Sequence, residues 1–336
     1  MKALRLREPG IVELCELPFP TLGPGWLLIR TRATTICTSD IADIRSNPFG
    51  IPLPVVIGHE AAGTVAAVET SAAGFRIDDR VAAHPVHSCG DCPECRRGLA
   101  HLCSRMGHFG IDLQGTFSEY FLVRADRARK IPDSVDFTAA ALAEPICVSL
   151  EAVRRARVTS GDSLLIIGDG PFGLLMARIA ARHDGVRVVL AGRHDFRLGF
   201  ARGVTTVNLR TAPRTDQELK ELSGADGFDA VILAVGDPRV LPTAVDVLRA
   251  RGRLVIFAPI HGRSEVDLAT VLAKELEILG AVNDEDLFDD AISLLADRTF
   301  NAGELITHRF GIDGYQEALD VAENRHGESV KVAITF

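Results

Sequence analysis

Apolar and polar positions alternate with a period of two in four short N-terminal segments, Lys2–Leu6, Ile11–Leu14, Trp26–Thr34 and Ala61–Val68. Alternation of that kind gives a strand one buried and one solvated face. Pro18, Pro20, Pro24, Pro48, Pro52 and Pro54 punctuate the connections, so residues 1–145 read as an all-β, loop-rich unit. The texture changes at Ser163. Leu164–Gly168, Arg187–Ala191, Thr206–Leu209, Ala230–Val235, Leu254–Ala258 and Ile278–Val282 are apolar-rich strands, with helical patterns at Gly173–Arg182, Arg197–Arg202, Thr215–Ser223, Arg239–Leu248 and Leu268–Lys274 between them. Apolar strands separated by helices imply a parallel sheet covered on both faces. Six of them suit a doubly wound nucleotide-binding sheet. The tail reads as helix Leu287–Ala296, strand Leu305–Phe310, helix Tyr315–Glu323 and strand Lys331–Phe336. It is expected to return to the first unit and complete it. The fold class is α/β with two domains: a β-rich one over 1–145 and 286–336, and a dinucleotide-binding one over 146–285.

Composition narrows the function classes. The chain has 336 residues, of which 47% are hydrophobic and 24% charged, which is ordinary globular composition and not that of a disordered chain. Thirty-seven basic residues against 45 acidic leave a formal charge of −8. That balance argues against nucleic acid or an anionic membrane as the main partner. No apolar run approaches the roughly 18 residues of a membrane span. Met1–Gly10 alternates charged and apolar residues, unlike a signal or transit peptide, so the expected compartment is the cytoplasm.

Chemistry enters with the stretch from Leu164 to Gly173. Gly168-Asp-Gly170-Pro171-Phe172-Gly173 ends an apolar strand and opens a helix. In that context G-x-G-x-x-G permits a tight turn, close approach of a pyrophosphate and close helix–strand packing, with the helix N-terminus facing the phosphates. The end of the second strand bears on the cofactor. NAD enzymes usually place a carboxylate there for the ribose 2′-hydroxyl. This chain has Gly192, then Arg193, with Arg197 in the next helical segment. A guanidinium can hold a 2′-phosphate bidentately where a carboxylate would repel it, so NADP(H) is expected over NAD(H).

Seven cysteines are present, and four of them, Cys89, Cys92, Cys95 and Cys103, form C-x2-C-x2-C-x7-C. An odd, clustered set without export signals points to metal and not to a disulfide framework. Four thiolates can close a tetrahedral zinc site with no open position, which is a structural role. An iron–sulfur cluster is the rival, although the ferredoxin run ends x3-C-Pro.

Three further groups are ambiguous singly: Cys37-Thr-Ser39-Asp40, Gly58-His59-Glu60 and Glu144-Pro145. A lone Cys is usually a small buried hydrophobe, a lone His a satisfied core or surface residue, and a Glu before Pro a solvated helix start. In combination with the cysteine run and the glycine-rich turn, the chain resembles the zinc-dependent medium-chain alcohol dehydrogenases over essentially its full length. Glu-Pro most resembles their polyol (sorbitol) and threonine dehydrogenase branch.

That resemblance implies a GroES-like catalytic domain beside a Rossmann domain, with two zinc ions per chain. Cys37, His59 and Glu144 match the ligands of the catalytic zinc. Glu60 matches a carboxylate beside the metal, Asp40 a partner that orients His59, and Ser39 the hydroxyl that takes the substrate proton. The implied reaction is reversible oxidation of a secondary alcohol (a polyol, cyclitol or amino alcohol) to a ketone, with the nicotinamide in a cleft between the domains. The resemblance also implies a homodimer or homotetramer. A zinc-free alkene or quinone reductase of the same superfamily, and a non-catalytic NADPH-binding scaffold, stand as alternatives.

Two departures bear on mechanism and substrate. Ala42 stands where family members often carry the outer histidine of a proton relay, which leaves water, the cofactor ribose or Asp43 as the exit. Asn283 and Asp284 stand where the polyol branch has Arg and Tyr. The acidic run Asn283–Asp286 suits a solvated helix N-terminus, or alternatively a substrate bearing an amine. His108 and Phe109 are candidates to line the cleft.

Overall fold

A computed structural model describes every residue except 49, 70, 71, 73, 212–214, 261, 325 and 326, and all remaining side chains but those of 215 and 216. The chain divides into two compact units, Met1–Cys147 with Glu285–Phe336, and Val148–Asp284.

The first unit is organised around one long strand, Trp26–Thr35. On one edge it pairs antiparallel with Glu60–Val68. On the other edge its first half pairs with Tyr120–Arg124 and its second half with Lys331–Thr335. The tail therefore supplies a sheet neighbour to a strand 300 residues earlier in the chain. Leu4, Leu6, Ile36, Ile57, Phe117, Val332 and Ile334 form one core beneath this sheet. Leu27, Ile29, Val65, Val81, Phe109, Phe121 and Val123 form a second.

This unit is not all-β, and the difference lies in residues that matter for chemistry. Thr38–Ser46 is a helix. Its sequence, TSDIADIRS, is too polar for an apolar stripe to announce it. It forms because Cys37 takes an extended N-cap conformation and the Asp40 carboxylate, three residues on, accepts from the Cys37 amide at 2.8 Å, which satisfies an amide at the helix start. Glu144-Pro145, read as the end of the β unit, instead opens a 14-residue helix, Ala143–Ala156. Proline is at home in a first turn, where its missing N–H has no partner to lose.

The second unit is a six-stranded parallel sheet in the spatial order Thr205–Asn208, Arg187–Gly192, Ser163–Ile167, Phe228–Leu233, Leu248–Ile256, Glu277–Gly280. In chain order this is third, second, first, fourth, fifth, sixth, so the order reverses at Ser163–Ile167. Ligands of such sheets bind at that reversal, beyond the carboxyl ends of the strands. Leu165, Ile167, Val189, Val231, Leu233 and Leu254 fill the core. The expected helix over Arg239–Leu248 is shorter, a 3-10 turn at Pro238–Val240 and a helix at Leu241–Asp246, and Leu248 already begins a strand. The run Asn283–Asp286 precedes the Phe288–Ala296 helix and is not uniformly solvated, since Asp284 is buried. Among the described residues no helix is long and apolar enough to cross a membrane.

Candidate active site

Strand register assembles the first constellation. Thr35 stands opposite Glu60 in the antiparallel pair. Cys37 lies two residues past the end of one strand, and His59 immediately precedes the start of the other. One donor atom from each of Cys37, His59 and Glu60 falls within 4.8 Å of the others, and all three residues are buried. Asp40 closes the arrangement from the helix: its second carboxylate oxygen lies 3.2 Å from His59 Nδ1. That contact directs the other ring nitrogen of His59 toward Cys37. Burial by itself would lower the pKa of His59, but the charge and hydrogen bond of Asp40, aided by Cys37, hold it well above its ordinary value. Ser39 is half-buried in the same helical turn. Glu144 is buried in the first turn of its own helix and is not among the three whose donors converge.

Glu60 is wholly buried and both its oxygens are engaged. One is 2.7 Å from Lys331 Nζ and the other accepts from the Thr35 hydroxyl. Lys331 is itself 1% exposed, and burial, which lowers its pKa, is outweighed by the charges of Glu60, Cys37 and Glu144. His108 flanks the group, its ring centroid 5.4 Å from that of His59. Its Nδ1 lies 2.7 Å from the Phe109 carbonyl oxygen. A carbonyl only accepts, so Nδ1 carries the proton and Nε2 is left as an acceptor. Burial, and then the charge of His59, push the His108 pKa down to about 3.

The second constellation is the cysteine run. Cys89 and Cys95 sulfurs are 4.0 Å apart, and those of Cys92 and Cys103 are 3.7 Å apart. A tetrahedron of sulfurs about 2.3 Å from a zinc ion has edges of about 3.8 Å, so the four fit that ion. Backbone N–H groups of Cys89 and Arg105 donate to the Cys103 sulfur, and that of Cys95 to Cys92. The Cys95 amide draws the Cys92 thiol down to about 6, while burial and then Cys92 push Cys95 up to about 12. Cys92 thus favours the thiolate while Cys95 is held as the thiol, and a divalent cation would favour the thiolate at both.

The third constellation is the glycine-rich turn. Pro171 begins the Pro171–Ala180 helix with Gly170 as its N-cap. A side chain at Gly173 would collide with the Gly168 carbonyl, whereas Gly170 has open space where a side chain would be. Phe172 packs against Phe257 with centroids 5.1 Å apart. At the end of the second strand, Asp169 reaches over from the turn. Its carboxylate accepts from the Arg193 and His194 amides at 2.6 and 2.7 Å and lies 3.1 Å from His194 Nδ1. A side chain on Gly192 would run into Asp169, with Oδ2 only 2.6 Å away. The glycine therefore has a packing cause in addition to any cofactor cause. The Arg193 side chain is exposed, and Arg197 is buried within the field of Asp169.

The alcohol dehydrogenase GroES-like domain model matches residues 23–133, and the zinc-binding dehydrogenase model matches 171–297. L-threonine 3-dehydrogenase of Escherichia coli K12 is 31% identical over the full length of both chains. The chain belongs to the zinc-binding alcohol dehydrogenase family. Two solved structures of similar architecture bracket the cofactor question. A zinc-binding dehydrogenase from Sinorhizobium meliloti bound to NADP has a TM-score of 0.91 at 26% identity, covering 100% of this chain and 99% of that one. An alcohol dehydrogenase from E. coli CFT073 complexed with NADH has a TM-score of 0.92 at 28% identity, with the same coverage.

For this dehydrogenase, sequence reasoning missed Lys331 and Thr35 at the site. A lysine at the first position of an apolar C-terminal strand reads as its solvated end. Only the pairing of that strand beside Thr35 buries it against Glu60, and no local signal could have shown this.

Proposed function

We propose that this dehydrogenase reversibly oxidises a secondary alcohol, a small polyol, cyclitol or amino alcohol, to a ketone, with hydride transfer to NADP. The observation that carries the reading is the convergence of Cys37, His59 and Glu60 donors, with Asp40 behind His59. Cys37, His59 and Glu144 would hold a catalytic zinc. Glu60 is engaged by Lys331 and Thr35, and it is the family resemblance that names Glu144 as the third ligand. The charge of Glu144 is felt at Lys331 and so belongs to the same neighbourhood. Zinc there supplies Lewis acidity that favours the ionised form of an alcohol at neutral pH, and NADP supplies the hydride acceptor.

The chain's own residues do the rest. Asp40 fixes the ring orientation and tautomer of His59; losing such a partner typically costs about 10–100-fold in metal affinity or activity. The Ser39 hydroxyl would receive the alcohol proton and pass it outward, to water or to Asp43, because Ala42 offers no imidazole. The Pro171–Ala180 helix directs its free amides at the pyrophosphate, which can approach over the bare Gly170. The family resemblance leads us to expect a dimer or tetramer. The test is formation of NADPH by zinc-loaded enzyme across a panel of secondary alcohols. Absence of turnover on the whole panel would defeat the reading.

Two expectations attach to the other parts of the site. Cys89, Cys92, Cys95 and Cys103 would hold the second, structural zinc. Cys95→Ser is expected to release one zinc per chain and to remove hydrogen-exchange protection across 89–103, while the strands from Ser163 to Gly280 keep theirs. Retention of both zincs would rule that role out. For the cofactor, Arg193 would hold the 2′-phosphate, since the hydrogen bonds to Asp169 leave that carboxylate little capacity for a ribose hydroxyl. Arg193→Ile is expected to lower the NADP:NAD ratio of kcat/KM by roughly tenfold or more, the value of one charge-assisted contact. An unchanged ratio would mean that the phosphate is held elsewhere. Gly192→Asp is not a usable test, because the new side chain would collide with Asp169.

A further inference from the structure

Gly192 ends the Arg187–Gly192 strand, where dinucleotide folds usually place a carboxylate for the ribose 2′-hydroxyl. The place is not empty. The three atoms nearest to where a Gly192 side chain would begin are Cβ, Cγ and Oδ2 of Asp169. Gly192 does not have a positive φ, so the Asp169 side chain, and not the backbone conformation, requires the glycine. The glycine-rich turn thus supplies to the strand end the carboxylate that the strand itself lacks.

Carried there from the turn, the carboxylate faces backbone. Asp169 is buried, and its Oδ2 accepts from the Arg193 amide at 2.6 Å and the His194 amide at 2.7 Å, and lies 3.1 Å from His194 Nδ1. A carboxylate accepts, so that ring nitrogen carries a proton. Three N–H groups of two consecutive residues converge on one oxygen, which fixes the backbone from which the Arg193 side chain departs. That side chain is exposed and makes no hydrogen bond or salt bridge among the described residues. Its charge reaches Asp237, where it adds to the larger effect of Arg239 in lowering the carboxyl pKa. Asp237 follows Phe228–Leu233, the strand on the other side of Ser163–Ile167. The guanidinium is therefore turned toward the point where the strand order reverses.

We propose that Asp169 is the positioning residue for cofactor choice: by holding the Arg193 and His194 amides it presents the Arg193 guanidinium, in place of a strand-end carboxylate, to a ribose 2′-phosphate. This rests on the NADP reading above and deepens it. A held backbone lowers the ordering cost that a solvent-exposed arginine meets on binding, and a guanidinium so placed can grip the phosphate with two N–H groups. Glycine at 192 and aspartate at 169 are then one device, because each position permits the other.

The experiment is calorimetric titration of the protein with 2′,5′-ADP and with 5′-AMP, which differ by the 2′-phosphate alone, so neither zinc nor turnover enters. Wild type is expected to bind 2′,5′-ADP at least about tenfold more tightly. Asp169→Ala should bring that ratio to within about twofold while leaving the 5′-AMP Kd within about threefold. Asp169→Asn keeps an oxygen for the two amides and should keep most of the preference. The exchange Asp169→Gly with Gly192→Asp vacates the contested space and returns a carboxylate to the strand end. It should invert the preference, so that 5′-AMP binds the more tightly. An unchanged ratio in Asp169→Ala would overturn the inference. If Arg193→Ile abolished the ratio in the same series, the NADP reading would stand without it. Equal weakening of both nucleotides in Asp169→Ala would reduce Asp169 to a structural role and overturn the inference as well. Should Asp169→Ala not fold, the exchange decides, and a preference it fails to invert counts against the inference. A wild type without preference for 2′,5′-ADP would remove the NADP reading and the inference together.

Discussion

Cys37→Ser is expected to cut kcat by roughly 10²–10³-fold or more, the scale seen when a stabiliser of developing negative charge is deleted. It should lower the zinc content from two per chain to one. Cys37 is 5% exposed and is set at the end of Trp26–Thr35 by the same register that places His59 and Glu60. The replaced atom is therefore one of three donors that lie within 4.8 Å of one another. The substitution touches neither the cysteine run nor the glycine-rich turn. NADPH affinity should stay within about twofold, and the melting temperature should shift far less than in Cys95→Ser. Elemental analysis, steady-state kinetics and a cofactor titration on one preparation check all three. Full activity in Cys37→Ser would end the catalytic-zinc assignment. One zinc in both proteins, with no second uptake on adding metal, would return attention to a zinc-free reductase.

Lys331→Met is expected to destabilise the β-rich unit by about 3–5 kcal/mol, the cost of stripping one partner from a buried ion pair. Lys331 and Glu60 are 1% and 0% exposed, so neither can turn to water when the other is lost. Methionine keeps most of the length and removes the charge, leaving a carboxylate in the core with the Thr35 hydroxyl as its remaining donor. The double variant Lys331→Met, Glu60→Gln should recover much of the loss, because replacing a whole buried pair is often close to neutral. Denaturant unfolding followed by a probe in the first unit measures both. Its pH dependence has a definite sign. The Lys331 pKa is raised in the folded protein, so its contribution is whole below the unfolded lysine value of about 10.4 and is lost only as pH climbs through the folded one. Equal stability of wild type and Lys331→Met at pH 7 would show that the pair contributes nothing to the fold.

The two kinds of sheet were legible to different depths. The central strands of the second unit could be placed because a sheet buried on both faces is apolar there, whereas the edge strands Thr205–Asn208 and Glu277–Gly280 are largely exposed. Gly173 could be assigned from its G-x-G-x-x-G spacing, whose packing reason is that any side chain there meets the Gly168 carbonyl. The Thr38–Ser46 helix escaped notice because its hydrogen-bonding cap, and not an amphipathic stripe, defines it. The Ala143–Ala156 helix escaped because residues 1–145 read as one β unit, although a proline in a first turn suits a helix start. Gly192 shows a subtler gap. Read along the chain, it is a missing carboxylate at the cofactor position. Folded, it is the space that Asp169 fills.

The sequence by itself determined the fold class, the cysteine run and the glycine-rich turn, because their spacings are local and each spacing fixes its own geometry. It also supplied the candidates Cys37, His59, Glu60 and Glu144, and it left them as separate fragments. Only the tertiary structure decided which of them meet. The pairing of Thr35 with Glu60 carries Cys37 to His59, and the last strand, arriving from the far end of the chain, delivers Lys331 to Glu60. Register between distant strands is set by the burial of whole faces. The neighbours of a buried charge are therefore a property of the folded molecule that no stretch of its sequence carries alone.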